Sequence, residues 1–323
     1  MVGSALVRRL ATEDCEVLTA SSGEVDLRRQ QDTEDWLDAI RPDVVFVAAA
    51  RVGGILANDT YPADFLYDNL AITTNAIHGS YRIGVKKLVC LGSSCIYPRL
   101  ANQPIAEDEM MSGPLEPTNQ WYALAKIVGI YQCQAYRRQY GCDFISAMPT
   151  NLYGPGDNFD LAKGHAVAAL LRKIHEAAAE GRAEVAIWGT GNPKREFLYV
   201  DDCADALVHL AKHYSGESHV NLGTGKDVTI QELAETISRI VGFTGRFVYD
   251  TSKPDGTPRK LLDVSRLHAL GWRHQTSLEQ GLQRAYAWYL NHAVEEDRAI
   301  AVGAGAPRHA DAGGPASGHE APA

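Results

Sequence analysis

Continuous apolar runs and helically spaced stretches alternate along this chain. Arg41-Pro42-Asp43 introduces Val44-Val45-Phe46-Val47-Ala48-Ala49-Ala50, a run of the kind that fills a strand buried on both faces. Val85 to Leu91 and Phe144 to Met148 repeat it, and Val185 to Gly189 is a shorter version. Helical spacing occupies Val2 to Leu10, Asn69 to Ile83, the stretch around Tyr122, and residues 166 to 180. Strands alternating with helices predict βαβ units and a parallel sheet. Val17 to Ala20 reads as a further short strand, and Asp201 and Asp202 read as N-caps of a following helix. Asn221 to Gly225 has turn chemistry. From about Ala293 the chain is rich in Ala, Gly, Pro and His without periodicity, which predicts a disordered tail over 293–323.

Candidate chemistry gathers at one place in this pattern. Ser93, Ser94 and Cys95 follow the run ending at Leu91, at the carboxyl end of a predicted buried strand, where open α/β sheets bind ligands. Tyr122 and Lys126 are spaced i and i+4, so a phenol and an ammonium stack on one helix face. A free tyrosine titrates near 10. A cation one turn away favours the phenolate and is expected to bring Tyr122 nearer neutral pH. Tyr and Lys four apart are common on surface helices; the serine-bearing strand end upstream makes the pair a proton-transfer unit with Ser93 on the substrate oxygen. Ala48 to Ala50 either admit a cofactor close to the backbone or pack tightly in the core. Lys253 to Lys260 is a basic, breaker-rich loop that suits a phosphate or diphosphate, or a solvated turn.

Composition narrows the classes. The 323 residues are 45% hydrophobic and 22% charged, ordinary globular usage, and are enough for a large α/β domain with a smaller companion. No run approaches the ~18 apolar residues of a membrane span, and the N-terminus lacks the apolar core of a secretory signal. A net charge of −9 argues against nucleic acid, leaving small molecules as partners. The six cysteines form no CxxC pair and no zinc spacing, so we expect reduced thiols, a cytoplasmic location and no metal.

The segments AAARVGGI (48–55), NDTYPADF (58–65), LGSSCIYP (91–98), EPTNQWYALAK (116–126), MPTNLYGPGDNF (148–159) and SKPDGTPRKLLDV (252–264) together resemble the short-chain-dehydrogenase-like family of nucleotide-sugar epimerases and reductases. The cysteine directly after two serines, with PTNLYGP and KPDGTPRK, points to its branch that acts on GDP-4-dehydro-6-deoxy-D-mannose. The resemblance runs from Met1 to about His292. It implies a Rossmann-type doubly wound parallel sheet with a smaller α/β substrate-binding domain. The cofactor domain would be 1–152 and about 197–245, and the nucleotide-sugar domain 153–196 and about 246–292. It also implies inversion at C3 and C5 followed by NADPH reduction at C4, with Tyr122, Lys126, Ser93, Cys95 and His165 as catalytic residues.

Residues implied along NADP(H) are Gly3, Leu91, Gly92, Ser93, Ser94, Lys126, Pro149, Thr150, Asn151, Leu152 and His165. Those implied at the GDP-sugar are Lys173, Trp188, Arg195 and Asp255. No acidic residue ends the predicted second strand; Thr19 to Ser22 suit a 2′-phosphate, and Arg28 or Arg29 is a candidate partner for it. The resemblance further implies a homodimer through the helices flanking Tyr122, with Ile127, Ile130 and Tyr131 near its seam. Relative to the family, about a dozen residues ahead of Met1, a strand and the first glycines of the phosphate turn, are missing. Either Met1 is an internal methionine of a longer protein or the chain is shortened and binds cofactor weakly. Competing functions are a 4-epimerase or 4,6-dehydratase, which needs no Cys95/His165 pair, and a non-catalytic sugar-nucleotide-binding protein.

Overall fold

In the computed structural model, residues 1–161, 164–253 and 255–303 are described. In chain order, α1 (Val2–Leu10) and α2 (Gln30–Ile40) precede β1 (Val44–Val47). α3 (Ile55–Thr60) and α4 (Pro62–Arg82) lead to β2 (Lys87–Leu91), and α5 (Gln120–Tyr140) leads to β3 (Phe144–Pro149). β4 (Asn151–Tyr153), α6 (Ala166–Ala179), β5 (Glu184–Trp188), β6 (Lys194–Tyr199), α7 (Val200–His213) and β7 (Val220–Leu222) follow. β8 (Asp227–Thr229), α8 (Ile230–Val241), β9 (Arg246–Asp250), β10 (Arg259–Lys260), α9 (Ser265–Ala269) and α10 (Leu278–Gly303) complete the described chain.

The three longest apolar runs become neighbours. β1, β2, β3 and β7 lie side by side in that order, all parallel, with Val45 opposite Leu88, Leu88 opposite Phe144 and Ala147 opposite Val220. Every residue of β2 is buried. Leu88 and Cys90 face one core with Ile77 of α4 and Cys133 of α5. Val89 and Leu91 face another with Leu6 of α1 and Leu207 of α7. Helices on both faces of a parallel sheet make the doubly wound Rossmann-type architecture. A third cluster (Ile96, Tyr97, Ile127, Ile130, Met148) lies under the carboxyl ends of β2 and β3. Ile127 and Ile130, expected near a dimer seam, are therefore core residues.

A second layer holds β10, β6 and β4 in parallel, with β8 antiparallel to β6, and a separate parallel pair of β5 and β9. Its core joins Leu171 and Ile174 of α6, Ile187 of β5, Leu233 and Ile237 of α8 and Leu282 of α10. Glu196 on β6, with none of its surface exposed, binds the two layers together. Its carboxylate accepts from the backbone N–H of Thr224 (2.6 Å), Gly225 (2.7 Å) and Leu262 (2.9 Å). Its carbonyl accepts from Thr150 Oγ1 (3.2 Å) and Asn151 Nδ2 (2.8 Å). Burial pushes the Glu196 carboxyl up, and those backbone donors hold it back.

Three sequence expectations differ from the structure. Val17–Ala20 is not a strand: it pairs with no described strand, the outer edge of β1 included, so its backbone gains no ladder hydrogen bonds. Asp201 and Asp202 are not N-caps, because α7 starts directly off β6 and the cap position falls on Tyr199. From the first turn Asp201 pairs with Arg8. Asp202 accepts from the backbone N–H of Thr276 at 2.8 Å. The tail expected from 293 opens as a continuation of α10 to Gly303, since residues 293 to 302 are mostly helix formers; 304–323 lie outside the described residues.

Candidate active site

The site is built where β2 ends. Gly92 donates its N–H to Ala147 O (2.9 Å), and a Cβ there would sit 2.2 Å from Met148 Sδ, so a side chain at this strand end would have to displace the Met148 thioether. The chain then tightens into a 3-10 turn, Ser94–Ile96, capped by Ser93, whose Oγ accepts from the Cys95 N–H at 3.3 Å. α5 runs back past this turn. Asn119, its N-cap residue, directs Nδ2 to Cys95 Sγ at 3.3 Å, and Lys260 Nζ on β10 lies 4.0 Å from the same sulfur.

Tyr122 and Lys126 occupy one face of α5, with Lys126 Nζ 5.8 Å from the Tyr122 ring centre and Phe65 edge-on to that ring at 6.4 Å. Burial is the dominant influence on both groups. It pushes the Tyr122 phenol well above its ordinary value, Cys95 adds to the rise, and the Ser93 side chain opposes it. Lys126 is pushed down by the same desolvation. Against the expectation that Lys126 brings Tyr122 toward neutrality, the phenol is raised, because removing a phenolate from water disfavours the charged form. The state favoured here is a neutral phenol, a proton donor.

The structure therefore brings Ser93, Cys95, Tyr122 and Lys126 together. Arg195 joins them: burial lowers its pKa, while Asp255, Glu116 and Cys95 act to raise it, in that order. Arg195 Nη2 donates to Asp255 O at 3.4 Å, and the Asp255 carboxylate accepts from Thr190 N (2.7 Å) and Oγ1 (2.9 Å). Trp188 is 52% exposed, with Lys253 Nζ 5.6 Å from its ring centre. Lys173 Nζ is turned to Ala186 O (2.9 Å) on the strand carrying Trp188. His165 sits at the N-cap position of α6 with Nδ1 3.0 Å from Asp157 Oδ1. Among the described residues no hydrogen bond or ion pair joins it to Cys95 or Tyr122.

Of the residues expected along a dinucleotide, Leu91 to Ser94 follow from β2, and Pro149 to Leu152 run from β3 into β4 beside it. Gly3 lies in α1, with open space where a Cβ would be. Arg28 is paired with Asp26 and Asp68, and Arg29 Nη1 is 4.0 Å from Asp32. Lys126 is 4% exposed and gives one hydrogen bond, to Leu91 O at 3.0 Å, among the described residues. An ammonium has three donors. Buried donors left over at a strand end of this kind fit a ribose diol, so the residues present suit a nicotinamide dinucleotide. Among the described residues no group of three His, Cys, Asp or Glu side chains could hold a metal ion, and no helix is long and apolar enough to cross a membrane.

Sequence reasoning gave no role to Asn119, Glu116 or Asp157, and placed Lys260 only in a basic loop for phosphate, not beside Cys95. All four lie inside the motifs that carried the resemblance, and what was lacking was the pairing of β10 with β6, which brings Lys260 to Cys95, and the contact of Asp157 with His165.

A doubly wound sheet with a Ser-Tyr-Lys set at its carboxyl edge defines a dinucleotide-dependent enzyme of the short-chain dehydrogenase type. The chain belongs to the NAD dependent epimerase/dehydratase family, whose profile it matches over residues 1–223. It is 58% identical over 295 residues to a GDP-L-fucose synthase of Sinorhizobium fredii, covering 91% of this chain and 94% of that one. It is 53% identical over 302 residues to the GDP-L-fucose synthase of Escherichia coli, covering 90% and 94%. Among solved structures, a GDP-L-fucose synthetase from Naegleria fowleri bound to NADP superposes with a TM-score of 0.83 at 28% identity, over 91% of this chain and 92% of that one.

Proposed function

We propose that this protein converts GDP-4-dehydro-6-deoxy-D-mannose to GDP-L-fucose with NADP(H), inverting C3 and C5 and then reducing C4. The observation that carries the reading is Cys95: its sulfur faces donors on Asn119 and Lys260 and stands beside Tyr122. A 4-epimerase or 4,6-dehydratase needs Ser93, Tyr122 and Lys126 but has no work for such a thiol.

Hydrogens on carbons flanking a ketone are acidic because the carbanion is an enolate. Cys95 takes a proton from one face of C3 or C5, and His165 returns one to the other face. Ser93 and Tyr122 hold the enolate oxygen with their hydroxyl hydrogens, a donor arrangement that strengthens as charge develops. The nicotinamide, when bound, supplies the hydride for C4. Tyr122 then gives its proton to the C4 oxygen, and Lys126 holds the ribose and balances the phenolate left behind. Arg195 and Lys173 suit the diphosphate by charge, Trp188 offers an aromatic face, and Asp255 accepts from sugar or base. Leu91–Ser94 and Pro149–Leu152, with Gly3 and His165, would hold the cofactor.

The two cores support a cofactor-side unit and a nucleotide-sugar-side unit, with α8 of the 197–245 stretch packing on the latter. The fold pairs as a homodimer through α4 and α5, whose outer faces carry Tyr67 (67% exposed), Trp121 (41%), Val128 (42%) and Tyr131 (48%). Six free thiols accord with a cytoplasmic setting, which cell fractionation tests.

The deciding experiment is turnover of GDP-4-dehydro-6-deoxy-D-mannose with NADPH in D2O, read by NMR. Deuterium at C3 and C5 and formation of GDP-L-fucose are expected. Cys95→Ser should reduce the C3/C5 exchange by about 10²- to 10⁴-fold. Unchanged exchange in that variant, or no turnover by the parent, would overturn the reading.

A further inference from the structure

His165 enters the proposed function as an acid, yet its place in the fold works against that role. It is the N-cap residue of α6, where the partial positive charge of the helix end disfavours an imidazolium. Burial disfavours it as well. The opposing influence is Asp157. Its side chain is 3% exposed; Oδ1 accepts from the Asn158 N–H (2.8 Å) and lies 3.0 Å from His165 Nδ1, while Oδ2 is buried with no partner among the described residues. A carboxylate so sparsely hydrogen-bonded away from water is costly unless a cation stands beside it. Just ahead of His165, the Gly164 N–H donates to Asp160 O at 2.8 Å. A Cβ on Gly164 would sit 2.3 Å from Asn158 O.

We propose that Asp157 is the positioning residue of the epimerisation: its carboxylate keeps a proton on His165 Nδ1, sustains the imidazolium, and leaves Nε2 to deliver a proton to the sugar. This rests on the reading of the protein as a C3/C5 epimerase. In the step, the Nε2–H bond breaks and a C–H bond forms at the enolate carbon. The enolate pair supplies the electrons, and His165 ends neutral with its Nδ1–H still on Asp157. Among the described residues Asp157 is the only titratable group whose charge acts on His165, and its net effect with burial is an imidazolium more persistent than a free histidine's. The sign follows: His165 stays charged to higher pH than a free histidine does.

The test is NMR titration of the histidine imidazoles in the full chain, with the His165 signal identified by its loss in His165→Gln. In the parent, His165 should titrate above the ordinary value of about 6.5. In Asp157→Asn it should fall by about one pH unit, and the limb of the pH profile for C3/C5 deuterium exchange should move down with it. Asp157→Glu should restore part of the shift. A parent His165 titrating at or below the ordinary value overturns the proposal without any variant being needed, as does an unchanged titration in Asp157→Asn. Absence of C3/C5 exchange in the parent would instead remove the proposed function, while the titration still decides whether the pair exists.

Discussion

His219, just ahead of β7, is a titratable side chain the chemistry does not use. It is 3% exposed, its Nε2 lies 3.0 Å from Tyr97 Oη, and its carbonyl accepts from Arg266 Nη1 at 2.7 Å. Burial, helped by Arg266, pushes its pKa down to about 4. The unfolded chain, with an ordinary value near 6.5, takes up the proton first as pH falls. The stability from neutral His219 is therefore present above about 6.5 and is lost progressively toward pH 4, by up to about 3 kcal/mol. Two groups act with opposite sign: burial raises Glu107, and Asp157 raises His165, so both gain stability as pH falls. The difference between parent and His219→Gln separates the terms. Thermal midpoints of the variant should fall less than the parent's between pH 6.5 and 4, and parallel curves would sink this account. The same balance explains Tyr122. The i, i+4 spacing of Tyr122 and Lys126 was legible in the sequence. The depth at which α5 buries them was not, and depth sets the direction of both shifts.

Close helix packing governs the next scale. Gly129 of α5 lies against α4: a Cβ there would be 2.8 Å from Thr73 Cγ2 and 3.4 Å from Cys90 Sγ on β2. Gly129→Val should force α4, α5 and β2 apart and cost about 1–3 kcal/mol, read as a lowered urea midpoint with unchanged slope; an unshifted midpoint would show that the helices have slack. Elements whose signal is local were legible. β2 and β3 are apolar runs because helices cover both their faces, and α4 and α5 show helical spacing; β1, expected to be buried on both faces, is an edge strand with only Val47 buried and Val44 exposed. Elements that depend on a distant partner were not. Val17–Ala20 has strand-like residues but pairs with no described strand. Arg259–Lys260 looked like part of a basic loop, yet pairs with Lys194 and Arg195 and so brings Lys260 to Cys95. Asp201 and Asp202 look like caps because a sequence does not say that β6 runs into α7 without a loop. The motifs disclosed Ser93, Cys95, Tyr122 and Lys126, while the support given by Asn119 and Asp157 needed the fold.

At the scale of the whole molecule, α5 has two occupations. Ala123, Lys126, Ile127 and Ile130 turn inward to the sheet and the site, while Trp121, Val128 and Tyr131 turn outward. If two copies join along α4 and α5, Val128→Arg should yield monomers by sedimentation at concentrations where the parent is dimeric; monomeric parent protein would refute the proposed pairing. A helix shared in that way would have a further consequence. A rod clamped along its outer side bends less, and this rod carries the proton donor. On the proposed pairing, output per chain should depend on crowding of the chain with its own kind: on dilution, specific activity should fall as partners separate, and total activity should rise more steeply than the amount of protein present.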